Sequence, residues 1–360
     1  MNQSGIQKQT LDRGVITDAV EVMLGQYCHD QIAKAHNIGT GYVELWNEID
    51  KYLQGGGKRI RPYLVLLTYE AYGGADIQKV LPVACAWELL HSCLLIHDDI
   101  IDRDTIRHGT LNIAGQYEKK YNQHTGTDVG HYASSAALLA GDLLLSATYD
   151  IVMTSSLTAE DKLRTFTYLH DALFSVGGGE LLDVESVLKP IESVDTANIA
   201  IYKTARYSFE LPMLSGAVLA GAGEDDLERL SLLGKELGLL FQLSDDILGV
   251  FGDVGQTGKP NDSDIREKKR TPVVQYAMRL LDSAKCDRLT ALYEFDHNLS
   301  NEEVAEIAKI IRDSGARELA TKDAQAHAQK ALDLVEQLTI PTIYKKELQE
   351  LIAKLQARTT

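Results

Sequence analysis

The sequence predicts an all-α fold, a single domain of long helices packed as one bundle. Three observations lead there. Apolar residues recur at spacings of three and four along most of the chain, which is the period of a helix. Proline, which disrupts helix interiors, occurs only 7 times in 360 residues. Turn-forming clusters are brief, and no repeat, low-complexity tract or linker divides the chain.

The elements follow in order. Residues 18–34 place Val20, Met23, Leu24 and Tyr27 on one helical face. The triplet Gly55-Gly56-Gly57 is a turn leading into Lys58. Residues 81–102 are apolar on nearly every side, the mark of a buried central helix. A polar stretch at 121–130 is a loop, and 133–153, rich in alanine and leucine, is a further helix. Gly177-Gly178-Gly179 is expected to interrupt a helical run. Residues 228–249 repeat the apolar helical pattern, and 252–264, with three glycines and a proline, read as a flexible loop. The amphipathic tail at 302–357 should form outer helices that cap the bundle.

Composition narrows the function. A net charge of −16 repels phosphate backbones and argues against nucleic acid as a partner. At 44% hydrophobic residues, the chain can build a large core. Cys28, Cys85, Cys93 and Cys286 form no CxxC pair and match no zinc framework. Residues 1–15 hold no apolar signal core. The longest apolar run, 81–101, is broken by Glu88, His91, His97, Asp98 and Asp99, so no transmembrane segment is expected. A reduced, soluble, cytoplasmic protein is the expectation.

The sharpest chemical signal is His97-Asp98-Asp99-Ile100-Ile101-Asp102. Helical residues four apart lie about 40° apart around the axis, so Asp98 and Asp102 project side by side, with Asp99 rotated by about 100°. Carboxylates beside an apolar helix are costly unless paired or bound to metal, and oxygen-only ligands select hard ions such as Mg²⁺. Alone, the cluster also fits a solvated helix end. A second acid pair, Asp245-Asp246, again ends an apolar helical run. Two such pairs facing each other in a bundle would hold metal ions in the core.

Bound Mg²⁺ bridges to substrate phosphates, which need cationic partners as well. Lys58, Arg59 and Arg61 follow the triple glycine, where backbone and side chains can both approach an anion. Arg107 and His108 follow the first acid cluster, Lys203-Thr204 sits in IYKTARYSF, and Lys259 lies in the glycine-rich loop, with Lys268, Lys269 and Arg270 behind it. Each lysine alone fits a solvated surface; together, in an acidic chain, they suggest a diphosphate site.

In this order, GGGKRIRP, HSCLLIHDDIIDRDTIRHG, KTA, FQLSDDILGVFGD, and GK before DIREKKRTP resemble the motif set of the trans-isoprenyl diphosphate synthases, the polyprenyl synthetase family. The motif core spans about 55–272, with C-terminal helices at about 300–357. The resemblance implies an all-α bundle around a deep central cavity, a homodimer, and about three Mg²⁺ ions per site. It implies that Asp98 and Asp102, with Asp99 beside them, bind the metals gripping an allylic diphosphate. It assigns a further Mg²⁺ to Asp245, with Asp246 in support. Arg107, Lys203 and Lys259 would contact the allylic diphosphate. Lys58, Arg61 and His91 would contact isopentenyl diphosphate, and Thr204 and Gln242 would lie near the reacting carbon. The implied reaction is head-to-tail condensation of the two substrates.

The chain departs from the family pattern in places. His108 stands where a second arginine is usual, so the grip on isopentenyl diphosphate should weaken as pH rises from about 6 to 8. Gly249 replaces the third aspartate of the second cluster, Leu111-Asn112 replaces Pro-Thr, and Glu180 replaces a glutamine. Cys93 and Leu94 occupy the positions that set the cavity floor, and neither is aromatic. Geranylgeranyl diphosphate is therefore the expected product, with farnesyl or longer chains as alternatives. A terpene cyclase would lack GGGKRIRP, a squalene-type head-to-head synthase would use a different acidic spacing, and a non-catalytic partner subunit would typically lose an acid cluster.

Overall fold

The computed structural model describes residues 13–107, 109–126, 128–252, 263–294 and 298–359. The described residues are almost wholly helical. Helices α1 (Arg13–Ala35), α2 (Thr40–Gln54), α3 (Ile60–Ala71) and α4 (Ile77–Ile101) lead to a short antiparallel hairpin of β1 (Ile106–Arg107) and β2 (Thr110–Leu111). Then come α5 (Ile113–Tyr121), α6 (Val129–Met153), α7 (Ala159–Ser186) and α8 (Thr196–Ala200). A π-helical segment, Ile201–Glu210, runs into α9 (Leu211–Leu219), followed by α10 (Glu224–Phe251) and α11 (Ser263–Arg266). The chain ends with α12 (Pro272–Leu280), α13 (Ser283–Glu294), α14 (Asn301–Arg312), α15 (Ala316–Gln337) and α16 (Thr342–Gln356).

The apolar patterns decide the packing. In α4, Val80, Val83, Ala84, Trp87, Leu90 and Ile96 are all buried, so nearly every face of the helix meets protein. It packs on α6 and α3. The C-terminal helices do more than cap the bundle. Ala316, Ala320, Ala324, Ala328 and Ala331 form a buried stripe along α15, and these small side chains let it lie closely against α10. Helix starts are locally encoded: Ser300 and Glu303 complete a capping box on α14, and the Asn112 side chain caps α5 through the Gly115 N–H.

The triple glycine at 177–179 does not interrupt α7, which runs unbroken through it. One of the three glycines serves close packing, while a β-carbon at Gly177 or Gly178 would meet nothing within 4 Å. A β-carbon at Gly179 would lie 2.2 Å from the backbone nitrogen of Lys203, so α7 touches the π-helical segment there through bare backbone. That segment is itself unusual. The Leu211 N–H donates to the Arg206 carbonyl, five residues back, a geometry that recurs at functional sites.

By length and composition, α4 and α6 are both apolar enough to cross a membrane. Helix α4 is the buried centre of the bundle. Helix α6 is only half covered and exposes Leu138 and Leu139. Helix α7, which contacts it, leaves Phe174 80% and Leu181 69% exposed.

Candidate active site

Both acid pairs fall at the C-terminal ends of apolar helices. Asp98 lies in the last turn of α4 and Asp102 directly follows it, while Asp245 and Asp246 lie in the last two turns of α10. Neither helix has a basic residue in its final turn. Helix C-termini carry partial negative charge, so carboxylates there are disfavoured twice over and need cations from elsewhere. All four line one cavity of about 770 Å³, together with Lys203, Thr204 and Gln242.

The cations come from other elements. Arg107 Nε donates to Asp99 Oδ1 at 2.6 Å, and its Nη2 donates to Asp98 Oδ2 at 2.7 Å. The hairpin delivers this side chain: Arg107 pairs with Thr110, and the Asn112 N–H donates to the Thr105 carbonyl at 3.0 Å, closing the turn. Lys203 Nζ meets three carboxylates: Asp183 at 2.7 Å, Glu180 at 2.9 Å and Asp98 at 3.5 Å. Lys269 reaches Asp102 at 3.3 Å. Arg358, from the far end of the chain, donates to Asp245 at 2.6 Å and stacks over Phe241.

Burial and charge compete at each acid. Burial pushes Asp98 up, but Lys203, Arg107 and Lys269 outweigh it and hold the carboxyl below its usual range. At Asp99 burial wins over Arg107 and the shift is upward. Burial lifts Asp245 to about 6, against Arg358 and Lys58 and with help from the neighbouring charge of Asp264. Asp246 is pushed well above its usual value by burial and then by Asp264. Among the described residues, its hydrogen-bond donor is Gln242 Nε2 at 3.0 Å, and Gln242 in turn accepts from Thr204 Oγ1 at 2.8 Å. At Lys203, burial is overcome by Asp183, Asp98 and Glu180, which keep the ammonium charged.

A raised carboxyl pKa has a defined consequence for stability. The folded state prefers the protonated form, so stability is lost as pH climbs from the unfolded value through the folded one. Asp246 is 4% exposed and should therefore destabilise the metal-free protein increasingly as pH rises above the ordinary carboxylate range. Asp246→Asn is expected to melt a few degrees higher than the wild type at about pH 8, with the gap closing at about pH 4. Thermal melts in chelator across that range would show it; a gap independent of pH would refute it.

The donor set fits Mg²⁺. It is oxygen-only, it sits at two negative helix ends, and Asp102, Asp104 and Glu267 bring ligand oxygens within 4.8 Å of one another. Asp98 and Asp102 at the end of α4, and Asp245 and Asp246 from α10, all line the cavity and could hold it.

Of the residues that the sequence pointed to, the cavity is lined by Asp98, Asp102, Lys203, Thr204, Gln242, Asp245, Asp246, Lys269 and Arg270, while Arg107 reaches Asp98 from outside the lining. Asp99 is buried, lies outside the lining and is tied to Arg107. Arg61 stacks on the Tyr207 ring at 4.6 Å and donates to Ser208, and the His91 ring lies 6.1 Å from the same tyrosine. Tyr207 lines the cavity, whereas Arg61 and His91 do not. Lys58 also lies outside the lining; its ammonium is shifted downward by burial and then by Arg358. Arg59 is diverted: its left-handed backbone (φ 45°) turns it into the core, where it pairs with Glu88 at 2.7 Å. His108 and Lys259 lie outside the described residues, as does most of the 252–264 loop. Leu94 lines the cavity, whereas Cys93 is buried away from it.

Sequence reasoning missed Asp183, Asp264 and Arg358, and noted Glu180 only as a departure. Glu180 and Asp183 had a signal, since acids three apart share a helix face. Arg358 had none, because only the fold brings it to Asp245.

Residues 43–311 match the polyprenyl synthetase family model. The chain is 32% identical over 309 residues to the geranylfarnesyl diphosphate synthase of Aeropyrum pernix, covering 83% of this chain and 89% of that protein. It is 31% identical over 292 residues to the farnesyl diphosphate synthase of Micrococcus luteus, covering 80% and 91%. A crystal structure of geranylgeranyl pyrophosphate synthase from Corynebacterium glutamicum, complexed with isoprenyl diphosphate and magnesium, matches with a TM-score of 0.90 at 30% identity, covering 97% of this chain and all of that one. An all-α bundle with this cavity is that of an enzyme that transfers prenyl groups. The chain belongs to the polyprenyl synthetase family and is a trans-prenyl diphosphate synthase.

Proposed function

We propose that the protein condenses isopentenyl diphosphate head-to-tail with an allylic diphosphate (dimethylallyl, geranyl or farnesyl), with geranylgeranyl diphosphate as the main product. The observation that carries this reading is one cavity lined by two chemically distinct sets of side chains. Carboxylates and ammonium groups gather around Asp98, Lys203 and Asp245, and the remaining walls include Leu94, Leu173, Val176 and Leu181. A charged headgroup with a long apolar tail fits such a cavity.

The allylic C–O bond breaks with both electrons leaving on the diphosphate. The isopentenyl double bond attacks the resulting allylic cation and forms the new C–C bond. A proton is then lost to the departing diphosphate. Mg²⁺, held by Asp98, Asp102 and Asp245, would supply positive charge that stabilises the leaving diphosphate. Lys203 and Lys269 orient the diphosphate and stabilise its developing charge. Thr204 and Gln242, locked by their hydrogen bond, present fixed dipoles beside the reacting carbon. Lys58, Arg61 and His91 would hold the second diphosphate. Purified chain, Mg²⁺, radiolabelled isopentenyl diphosphate and each allylic primer in turn provide the test, with the product resolved by chromatography. Absence of a labelled prenyl product would sink the reading.

Product length should depend on Leu94, one turn before Asp98 on α4. Leu94→Ala is expected to shift the main product by at least one isoprene unit, because it enlarges the apolar part of the cavity. An unchanged product would place the floor elsewhere.

The exposed apolar face of α6 and α7 supports a homodimer, since Leu139 and Phe174 lie too far into solvent for a lone chain. Phe174→Asp should convert the dimer to a monomer on a sizing column; an unaltered elution volume would exclude this face. We place the dimer, one all-α domain per chain, in the cytoplasm, a reducing compartment that suits four cysteines without a disulfide.

A further inference from the structure

Helix α7 meets the cavity along one stripe. Leu173, Val176, Glu180, Leu181 and Val184 all line it, at the spacings of three and four that keep residues on one helical face. Gly177 sits in the middle of that stripe and lines the cavity too. A glycine inside a helix is less stable than an alanine, so its presence calls for a reason. Two usual reasons fail here. Close packing explains Gly179, but a β-carbon at Gly177 would meet nothing within 4 Å. A left-handed backbone does not explain it either, because α7 runs unbroken through Gly177 and its φ is not positive. What remains is the space itself. A side chain at 177 would project with those of Leu173 and Leu181, one turn away on either side, both of which line the cavity. Gly178 is open as well but lines no part of the cavity, so the same reasoning does not extend to it.

We propose that Gly177 is a specificity-determining residue: its missing side chain leaves the room that a growing prenyl tail needs, and so it helps to set the product length. The proposal rests on the reading of this cavity as the prenyl diphosphate site and deepens it. Gly177 precedes Glu180 by three residues, about 4.5 Å along the helix axis. Glu180 meets Lys203 at 2.9 Å. The open position therefore adjoins the charged groups proposed to seat the diphosphate, where a tail anchored by that headgroup begins. Leu173 and Val176 continue the wall with apolar surface. A side chain at 177 would occupy volume that a long tail needs and a short one can leave empty, so it would discriminate by length. The helix gives up stability at this position, and the gain is space in the site.

A graded series in the full chain supplies the test: Gly177→Ala, Gly177→Val and Gly177→Phe, each with Mg²⁺ and labelled isopentenyl diphosphate. Products are resolved by chromatography. kcat/KM is measured with dimethylallyl diphosphate and with the longest allylic primer that the wild type accepts. The main product is expected to shorten along the series, by at least one isoprene unit in Gly177→Phe. The ratio of kcat/KM for the short primer to that for the long one should rise about tenfold in Gly177→Val and further in Gly177→Phe. That ratio does not depend on the fraction of folded enzyme, so misfolding alone leaves it unchanged. Should Gly177→Phe lose all turnover, the valine variant decides. Gly177→Ala should also melt about one to two degrees higher than the wild type, since alanine favours the helix and meets no neighbour. A wild-type product length and primer ratio in the valine and phenylalanine variants overturn the proposal. So does a Gly177→Ala that melts lower, because the glycine would then be structural. Wild type that turns over beside unchanged variants sinks this proposal alone, whereas wild type that makes no prenyl product sinks the parent reading with it.

Discussion

Asp98→Asn is expected to lower kcat by about a thousandfold while leaving the melting temperature nearly unchanged. The two halves of that expectation come from the same contacts. Asp98 is the acid on which the cations converge, with Arg107 at 2.7 Å and Lys203 at 3.5 Å. Its carboxyl is held below the usual range despite burial, so it is ionised and ready for a metal at working pH. Losing that charge removes stabilisation that matters most as the diphosphate departs. A thousandfold in rate is about 4 kcal/mol of barrier, which lies within what one electrostatic contact in a closed site can supply. The fold should survive because neither cation is orphaned. Arg107 keeps Asp99, and Lys203 keeps Glu180 and Asp183. Single-turnover rates with saturating Mg²⁺, paired with thermal melts, check both halves. A rate loss below tenfold would mean that Asp98 is not a principal ligand.

Lys203→Ala has the second-largest expected effect, and it acts on stability as well. kcat/KM for the allylic diphosphate should fall by about two to three orders of magnitude, since the ammonium lines the cavity proposed to take the leaving group. The variant also leaves Glu180, Asp183 and Asp98 without their shared cation. Unpaired, part-buried acids should destabilise the metal-free protein by about 2 kcal/mol, and Mg²⁺ should restore more stability to the variant than it adds to the wild type. Glu180→Gln is the internal control. It leaves Lys203 two carboxylates and should change the melting temperature far less. If Lys203→Ala melts like the wild type and keeps its kcat/KM, the three-acid seat is only a surface arrangement.

Much of this site was legible before the fold. The spacing of Asp98 and Asp102 on an apolar helix forces two carboxylates side by side, and a second pair on another apolar helix leaves few ways to pay for four buried charges other than cations. The rest was hidden for identifiable reasons. Gly177-Gly178-Gly179 looked like a break because glycine lowers helix propensity, yet close contact of Gly179 with the π-helical segment outweighs that. Arg59 looked like a phosphate ligand because of its neighbours in sequence, but a left-handed backbone points it at Glu88.

By itself, the sequence determined the helical character of the chain, the capping of its helices and the acid pairs on their buried faces. These are local properties, fixed by side-chain type and a 3.6-residue period. Only the tertiary structure decided which cation meets which acid. Lys203 with α7, Lys269 with Asp102 and Arg358 with Asp245 all join residues on separate elements of the chain. Coulombic attraction does not depend on sequence separation, so these pairings follow from how the helices pack and cannot be read from spacing.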